Sequence, residues 1–255
     1  NDILLNIENF FASKEIYQKL GVPCKRGFLF LGPPGNGKTS LCRAIASEFD
    51  IPFCYVTLGR QDQRNFAWKS IFASVKKMTP CIVLIEDLDR VLENSPDETQ
   101  TFLNALDGFE SLDNILIIGT ANDATKIDPA LLDRPSRFDR VWKFELPDVS
   151  LREEFLTKFS KDHFSKEIIK KAAINTDKFS YAYLKEVVIQ ALLNAANENR
   201  PPKEDDVMNA VELLDRQMKN VKAKFEDEGS MGFRTKKTTT LDIIDPTIRL
   251  PRRKK

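Results

Sequence analysis

Short apolar runs alternate with helical periodicities through the first 147 residues of the chain. Runs rich in β-branched and aromatic residues fall at Phe28 to Leu31, Phe53 to Leu58, Cys81 to Ile85, Ile115 to Gly119 and Val141 to Leu146. Each intervening stretch is long enough for a crossover helix, so the pattern predicts βαβ units and a doubly wound, parallel, five-stranded α/β sheet. After Pro147 the strand signals stop. Apolar residues then recur at helical spacing, first at Leu151, Phe155, Leu156 and Phe159, then at Leu184, Val187, Val188, Ala191, Leu192 and Ala195. Asp148 and Ser180 are candidate N-caps for two of these helices. The predicted organisation is an α/β core over 1–147, a small all-helical domain over 148–228 and a tail over 229–255.

The stretch GPPGNGKT, residues 32–39, follows the strand FLFL and precedes the helical pattern SLCRAIASEF. That is the context a P-loop requires. Its glycines let backbone amides turn inward as an anion nest, and the N-terminus of the following helix adds its dipole. Lys38 is placed to reach the β and γ phosphates of a nucleotide, and the Thr39 hydroxyl to ligate Mg²⁺. Gly32, Pro34, Gly35, Asn36, Gly37, Lys38, Thr39 and Ser40 are therefore the candidate nucleotide-binding residues, with ATP and Mg²⁺ as the expected ligands.

Three more stretches extend the set. IVLIEDLDR (82–90) ends the third strand in two carboxylates, GTAN (119–122) closes the fourth, and DPALLDRPSRFDR (128–140) follows. In this order and spacing the motifs resemble the AAA family of ATPases, and the resemblance covers roughly residues 1 to 220. It implies an ATP hydrolase acting as a ring, hexameric by family precedent, with the helical domain as a lid. It also implies that Glu86 joins Thr39 on the metal, that Asp87 activates water and that Asn122 orients it. Arg134 and Arg137 are implied to reach the ATP of a neighbouring subunit. Two arginines three residues apart at a helix end suit an interface, although a surface salt-bridge pair is the plainer alternative. Ser136 stands where the family usually has glycine. FSYAYLKE (179–186) sits where the family begins its lid helix, which implies that Ser180, Tyr181 and Ala182 lie near the adenine and ribose; a simple capped helix explains the same residues equally well. The opening NIENFFASKEIYQKLGVPCKRGFLFLGPPGNGKTS looks like the subgroup of the mitochondrial inner-membrane AAA chaperone for the Rieske protein, which also ends its third strand in Glu-Asp.

The usual order of the two acids is Asp then Glu, and here it is reversed. In one register Glu86 takes the metal position and Asp87 the base position, with the four preceding apolar residues inside the strand. In the other, Asp87 holds the metal and Glu86 is pushed into the buried strand. An unpaired buried carboxylate costs several kcal/mol, which favours the first. Asp87 is then one methylene short, drawing the base back by about 1.5 Å. Slow but real hydrolysis is expected. Asp89 and Arg90 are expected to form a solvated turn with an ion pair.

Threading proteins of this family carry an aromatic-hydrophobic-Gly loop after the second strand. LGRQDQRNFAWKS (58–70) has no such triplet, and Phe66 and Trp68 are expected to start the next helix. The expected function is thus an ATPase coupling hydrolysis to remodelling, disassembly or translocation of a protein partner. The alternatives are an ATP-dependent assembly switch with little hydrolysis and a nucleic-acid-acting ATPase.

Composition narrows these readings. Net charge is +1, but residues 230–255 carry eight Lys and Arg against two Asp, a basic tail expected to be a solvated extension because it lacks interleaved aromatics for base stacking. Nucleic acid is therefore a disfavoured partner. Four isolated cysteines and the single histidine His163 give little support to a zinc site or a disulfide framework. No apolar run reaches the length of a membrane span. The chain opens on Asn1, which suggests a piece of something longer, and cytoplasmic placement is expected, or mitochondrial if a longer parent chain carries an anchor.

Overall fold

A computed structural model of the protein describes residues 2–56, 64–92, 96–108, 114–132 and 137–230. The chain divides into two compact units, 1–212 and 213–255. Among the described residues the second unit is the C-terminal stretch of one helix.

Two helices open the first unit, α1 (Asp2–Ala12) and α2 (Lys14–Leu20), ahead of strand β1 (Lys25–Leu31). Then follow α3 (Lys38–Glu48), β2 (Phe53–Val56), α4 (Arg64–Lys76), β3 (Cys81–Ile85), α5 (Leu88–Leu92), α6 (Pro96–Asp107), β4 (Ile115–Ala121) and β5 (Arg140–Lys143). From α7 (Val149–Ser160) onward the described elements are all helical: α8 (Lys166–Asn175), α9 (Tyr181–Asn197) and α10 (Glu204–Ser230).

The five strands form one parallel sheet in the order β2-β3-β4-β1-β5. β3 is buried at all five positions and β4 at all seven, because helices cover both faces. On one face Leu29, Val83, Ile85 and Ile117 pack with Trp68 and Phe72 of α4, Leu88 of α5 and Phe102 of α6. On the other, Phe28, Phe30, Ile82, Leu84 and Ile118 pack with Ile7 and Phe10 of α1 and with Cys42 and Ile45 of α3. Trp68 belongs to α4 as expected, and its ring stands 4.5 Å from that of Phe102.

Each predicted strand has a counterpart: β3 has the expected bounds, Thr57 and Leu58 of the second run lie outside the described residues, and the others differ at their ends. β1 starts three residues earlier than its apolar run, since Lys25, Arg26 and Gly27 pair with Ile115, Leu116 and Ile117 although only the last of the three is buried. β5 pairs with β1 alone and is short and mostly exposed, as an edge strand is. Asp148 caps α7 by accepting from Leu151 N–H at 2.8 Å. Ser180 occupies the N-cap position of α9, yet its side chain makes no cap hydrogen bond. Among the described residues no helix is long and apolar enough to cross a membrane.

Because β3, β4 and β1 are neighbours running in one direction, the chain segments that leave their C-terminal ends emerge side by side. These are Glu86-Asp87, Asn122 and the loop beginning at Gly32. In an open α/β sheet that end is where ligands bind.

Candidate active site

The loop 32–37 turns on glycines in conformations that other residues enter only with strain. Gly35 has φ 81° and Gly37 φ 92°. A Cβ on Gly35 would also stand 2.7 Å from Ser180 Oγ and 2.8 Å from Ala182 Cβ. The carbonyl of Gly35 accepts from Ala182 N–H at 3.1 Å, so the loop rests directly on the first turn of α9. Gly37 is the N-cap of α3, and Leu41 N–H makes the first bond, to Gly37 O at 2.8 Å. The amides of Lys38, Thr39 and Ser40 precede it, and the helix offers them no acceptor. Around Gly37 the space is open. Pro34 and Ser40 are exposed, and Asn36 is buried with its Oδ1 unpaired.

Lys38 is only 6% exposed. Its ammonium donates to the Gly32 carbonyl, to Pro33 O at 3.1 Å and to Asn122 Oδ1 at 2.9 Å. Burial pulls its pKa below the ordinary lysine value, and the carboxylates of Asp87 and Asp89 oppose that shift. Asn122 in turn donates from Nδ2 to Asp87 Oδ1 at 2.9 Å. An ammonium only donates and a carboxylate only accepts, so the amide of Asn122 is fixed in orientation between them. The result is a chain of contacts from phosphate loop to third-strand acid.

Glu86 and Asp87 both lie just beyond β3, whose apolar residues stay inside the strand. Thr39 Oγ1 donates to Glu86 Oε1 at 2.5 Å, and the Tyr55 hydroxyl donates to Glu86 Oε2. That second bond, with burial behind it, holds the Tyr55 phenol above its ordinary pKa. Asp87 turns the chain at φ 52°. Asp and Asn enter this left-handed region more readily than other non-glycine residues, which gives the Glu-Asp order a local backbone rationale.

Two residues differ from expectation. Asp89 is not in a solvated turn: it is 4% exposed, and its Oδ2 accepts from the backbone N–H of Asn122 at 3.0 Å and of Asp123 at 3.1 Å. It therefore sets the position of Asn122 from below. The contact joins residues 33 apart in sequence, and no local signal announces it. Replacing Asp89 by Ala leaves two partly buried amides without this acceptor, at up to about 1–3 kcal/mol each. The urea midpoint of Asp89→Ala is expected to fall markedly, and an unchanged midpoint would show that those amides find other partners.

Arg137 is the second. It was expected at an interface, but it is 4% exposed and clasped within its own chain. Nε and Nη2 bind Asp107 Oδ1 and Oδ2 at 3.0 and 2.8 Å, and Nη1 donates to Ala130 O. A guanidinium fork matches a carboxylate in this two-pronged way, so within this chain Asp107 holds Arg137 inward instead of leaving it exposed. Arg134 lies outside the described residues. Ser180 is buried against Gly35, while Tyr181 and Ala182 open α9 beside the loop.

The family described as "ATPase family associated with various cellular activities (AAA)" matches residues 28–146, the span from β1 to the segment after β5. The chain belongs to the AAA ATPase family. Among its relatives, the ATP-dependent zinc metalloprotease FtsH of Acidobacterium capsulatum is 36% identical over 220 residues, which are 77% of this chain and 34% of that protein. FtsH of Bacillus subtilis is 34% identical over 236 residues, 84% of this chain and 36% of that protein. FtsH 2 of Methylacidiphilum infernorum is 36% identical over 214 residues, 75% and 32% respectively. The chain thus spans about a third of the length of these relatives.

AAA ATPases use ATP with Mg²⁺, and the residues present fit both. Loop amides without helix acceptors, open space at Gly37 and a buried ammonium suit a polyphosphate. The adjacent hydroxyl and carboxylate oxygens of Thr39 and Glu86 suit a hard divalent cation.

Proposed function

We propose that this AAA ATPase works in a ring, hexameric on the family pattern, coupling ATP binding and hydrolysis to the remodelling, disassembly or translocation of a protein partner. The observation that carries the reading is the chain Lys38–Asn122–Asp87 set beside the pair Thr39–Glu86. It joins the phosphate loop to both third-strand acids.

In this reading the amides from Gly35 to Ser40 bind the β and γ phosphates, and Lys38 leaves the loop carbonyls to join them. Thr39 and Glu86 hold Mg²⁺, which when bound neutralises charge on those phosphates. Asp87 accepts a proton from water as its oxygen attacks the γ-phosphorus, the bond to the bridging oxygen breaks, and ADP and phosphate leave. Asn122 orients the water, Asp89 holds Asn122, and Arg134 of one subunit reaches the next subunit's site. Ser180 and Ala182 link the loop to the lid, here taken as 148–228 between a core of 1–147 and a tail of 229–255. Closing of that lid on nucleotide is the motion transmitted to the partner.

The relatives are named zinc metalloproteases, and that name is theirs. Two-histidine zinc motifs need a second histidine, and this sequence has one, the exposed His163. The part of the reaction cycle assigned to this chain is therefore ATP hydrolysis.

A second reading, an assembly switch that binds ATP and barely turns it over, is favoured by the shortness of Asp87 and by its bond to Asn122. Phosphate release measured against protein concentration tests the ring. Rate per subunit is expected to rise with concentration, since each site is completed by a neighbour. A rate that stays flat down to concentrations at which the chain is monomeric would exclude shared sites.

A further inference from the structure

Tyr55 plays no part in the motifs that identify the site, yet it touches one of the acids. It pairs with Leu84 across β2 and β3, and side chains two apart on a strand share a face, so Tyr55, Leu84 and Glu86 lie on the same side of the sheet. That is the side covered by α3, whose first turn carries Thr39. The Glu86 carboxylate is therefore gripped from two elements at once. Thr39 Oγ1 donates to Oε1 from the helix, and the Tyr55 hydroxyl donates to Oε2 from the neighbouring strand.

Packing does not account for the tyrosine. The residue is 54% exposed, so a hydroxyl-free ring would serve the strand edge equally well. What the hydroxyl supplies is a restraint. A glutamate has one more side-chain torsion than an aspartate, and with Glu86 at the metal position that torsion needs an anchor if the carboxylate is to stay beside Thr39. The phenol, fixed by only two torsions of its own, is a stiff one.

We infer that Tyr55 is a positioning residue for the metal. By holding Oε2 of Glu86 it keeps Oε1 next to the Thr39 hydroxyl and presents the two oxygens as a ready pair to Mg²⁺. This rests on the reading of Thr39 and Glu86 as metal ligands. Groups that orient a ligating side chain change metal affinity by about 10–100-fold when removed.

The test compares the full 255-residue chain with its Tyr55→Phe variant. ATP binding is measured by calorimetry, first in excess chelator and then across a Mg²⁺ titration. In the variant, the Mg²⁺ concentration that gives half of the tightening is expected to rise about 10-fold, while metal-free ATP affinity is unchanged. In a Glu86→Asp background, whose shorter carboxylate does not reach the phenol, Tyr55→Phe is expected to add nothing. An unchanged Mg²⁺ midpoint overturns the inference and leaves the nucleotide site standing. So does a parallel loss of metal-free affinity, which would mean a general distortion. Should Mg²⁺ fail to tighten ATP binding to the unsubstituted chain, the ligand assignment of Thr39 and Glu86 falls, and the role of Tyr55 falls with it.

Discussion

Lys38→Ala is expected to reduce phosphate release to background. The ammonium sits at the convergence of the loop carbonyls and Asn122, where the carboxylates of Asp87 and Asp89 act on it. Loss of one preorganised donor to a developing anion costs about 10²–10³-fold in kcat. Here the loss is compounded, because Asn122 Oδ1 loses its donor and the amide is free to rotate away from Asp87. A calorimetric titration with Mg²⁺ and ATP is expected to show greatly weakened binding, while far-UV circular dichroism stays that of the unsubstituted chain. Full turnover in this variant would mean that the phosphates are held elsewhere.

Asp87→Asn separates hydrolysis from binding. Positioned proton acceptors contribute about 10²–10⁴-fold, and phosphate release is expected to fall by that order. ATP affinity is expected to change little, since the contacts to the loop and to Thr39 and Glu86 are untouched. Asparagine is the suitable replacement because it tolerates the left-handed backbone at φ 52° and is nearly isosteric. An alanine or valine there would add backbone strain to the chemical loss. If the variant hydrolyses as fast as the unsubstituted chain, the residue is not the proton acceptor, and the switch reading with its low turnover takes over.

The reversed acids show how far chain order carries. With four apolar residues inside β3, Glu86 and Asp87 can only emerge at its end, and the cost of burying a carboxylate was enough to choose the register in which both lie beyond the strand. The backbone turn at Asp87 was not legible, because nothing in the neighbouring residues requires a positive φ. The burial of Asp89 is hidden for a related reason. Beside Arg90 it has the composition of a surface turn, and its burial follows from the loop after β4 folding over it. Arg137 shows the same limit from the other side. Two arginines in a polar segment suggest a surface, and only the placement of Asp107 at the end of α6 turns one of them inward.

The sequence by itself determined the strands, some of the helices and the phosphate loop, because each depends on interactions within a few residues: side-chain periodicity, glycine conformations and the amides of a helix start. The folded chain decided who holds Glu86, Asn122 and Arg137. Those contacts join residues 31, 33 and 30 apart, from β2 to the end of β3, from α5 to the segment after β4, and from α6 to the segment before β5. They exist because a parallel sheet brings distant segments side by side, and the order of its strands is set by the packing of two buried faces, which no short window of residues contains.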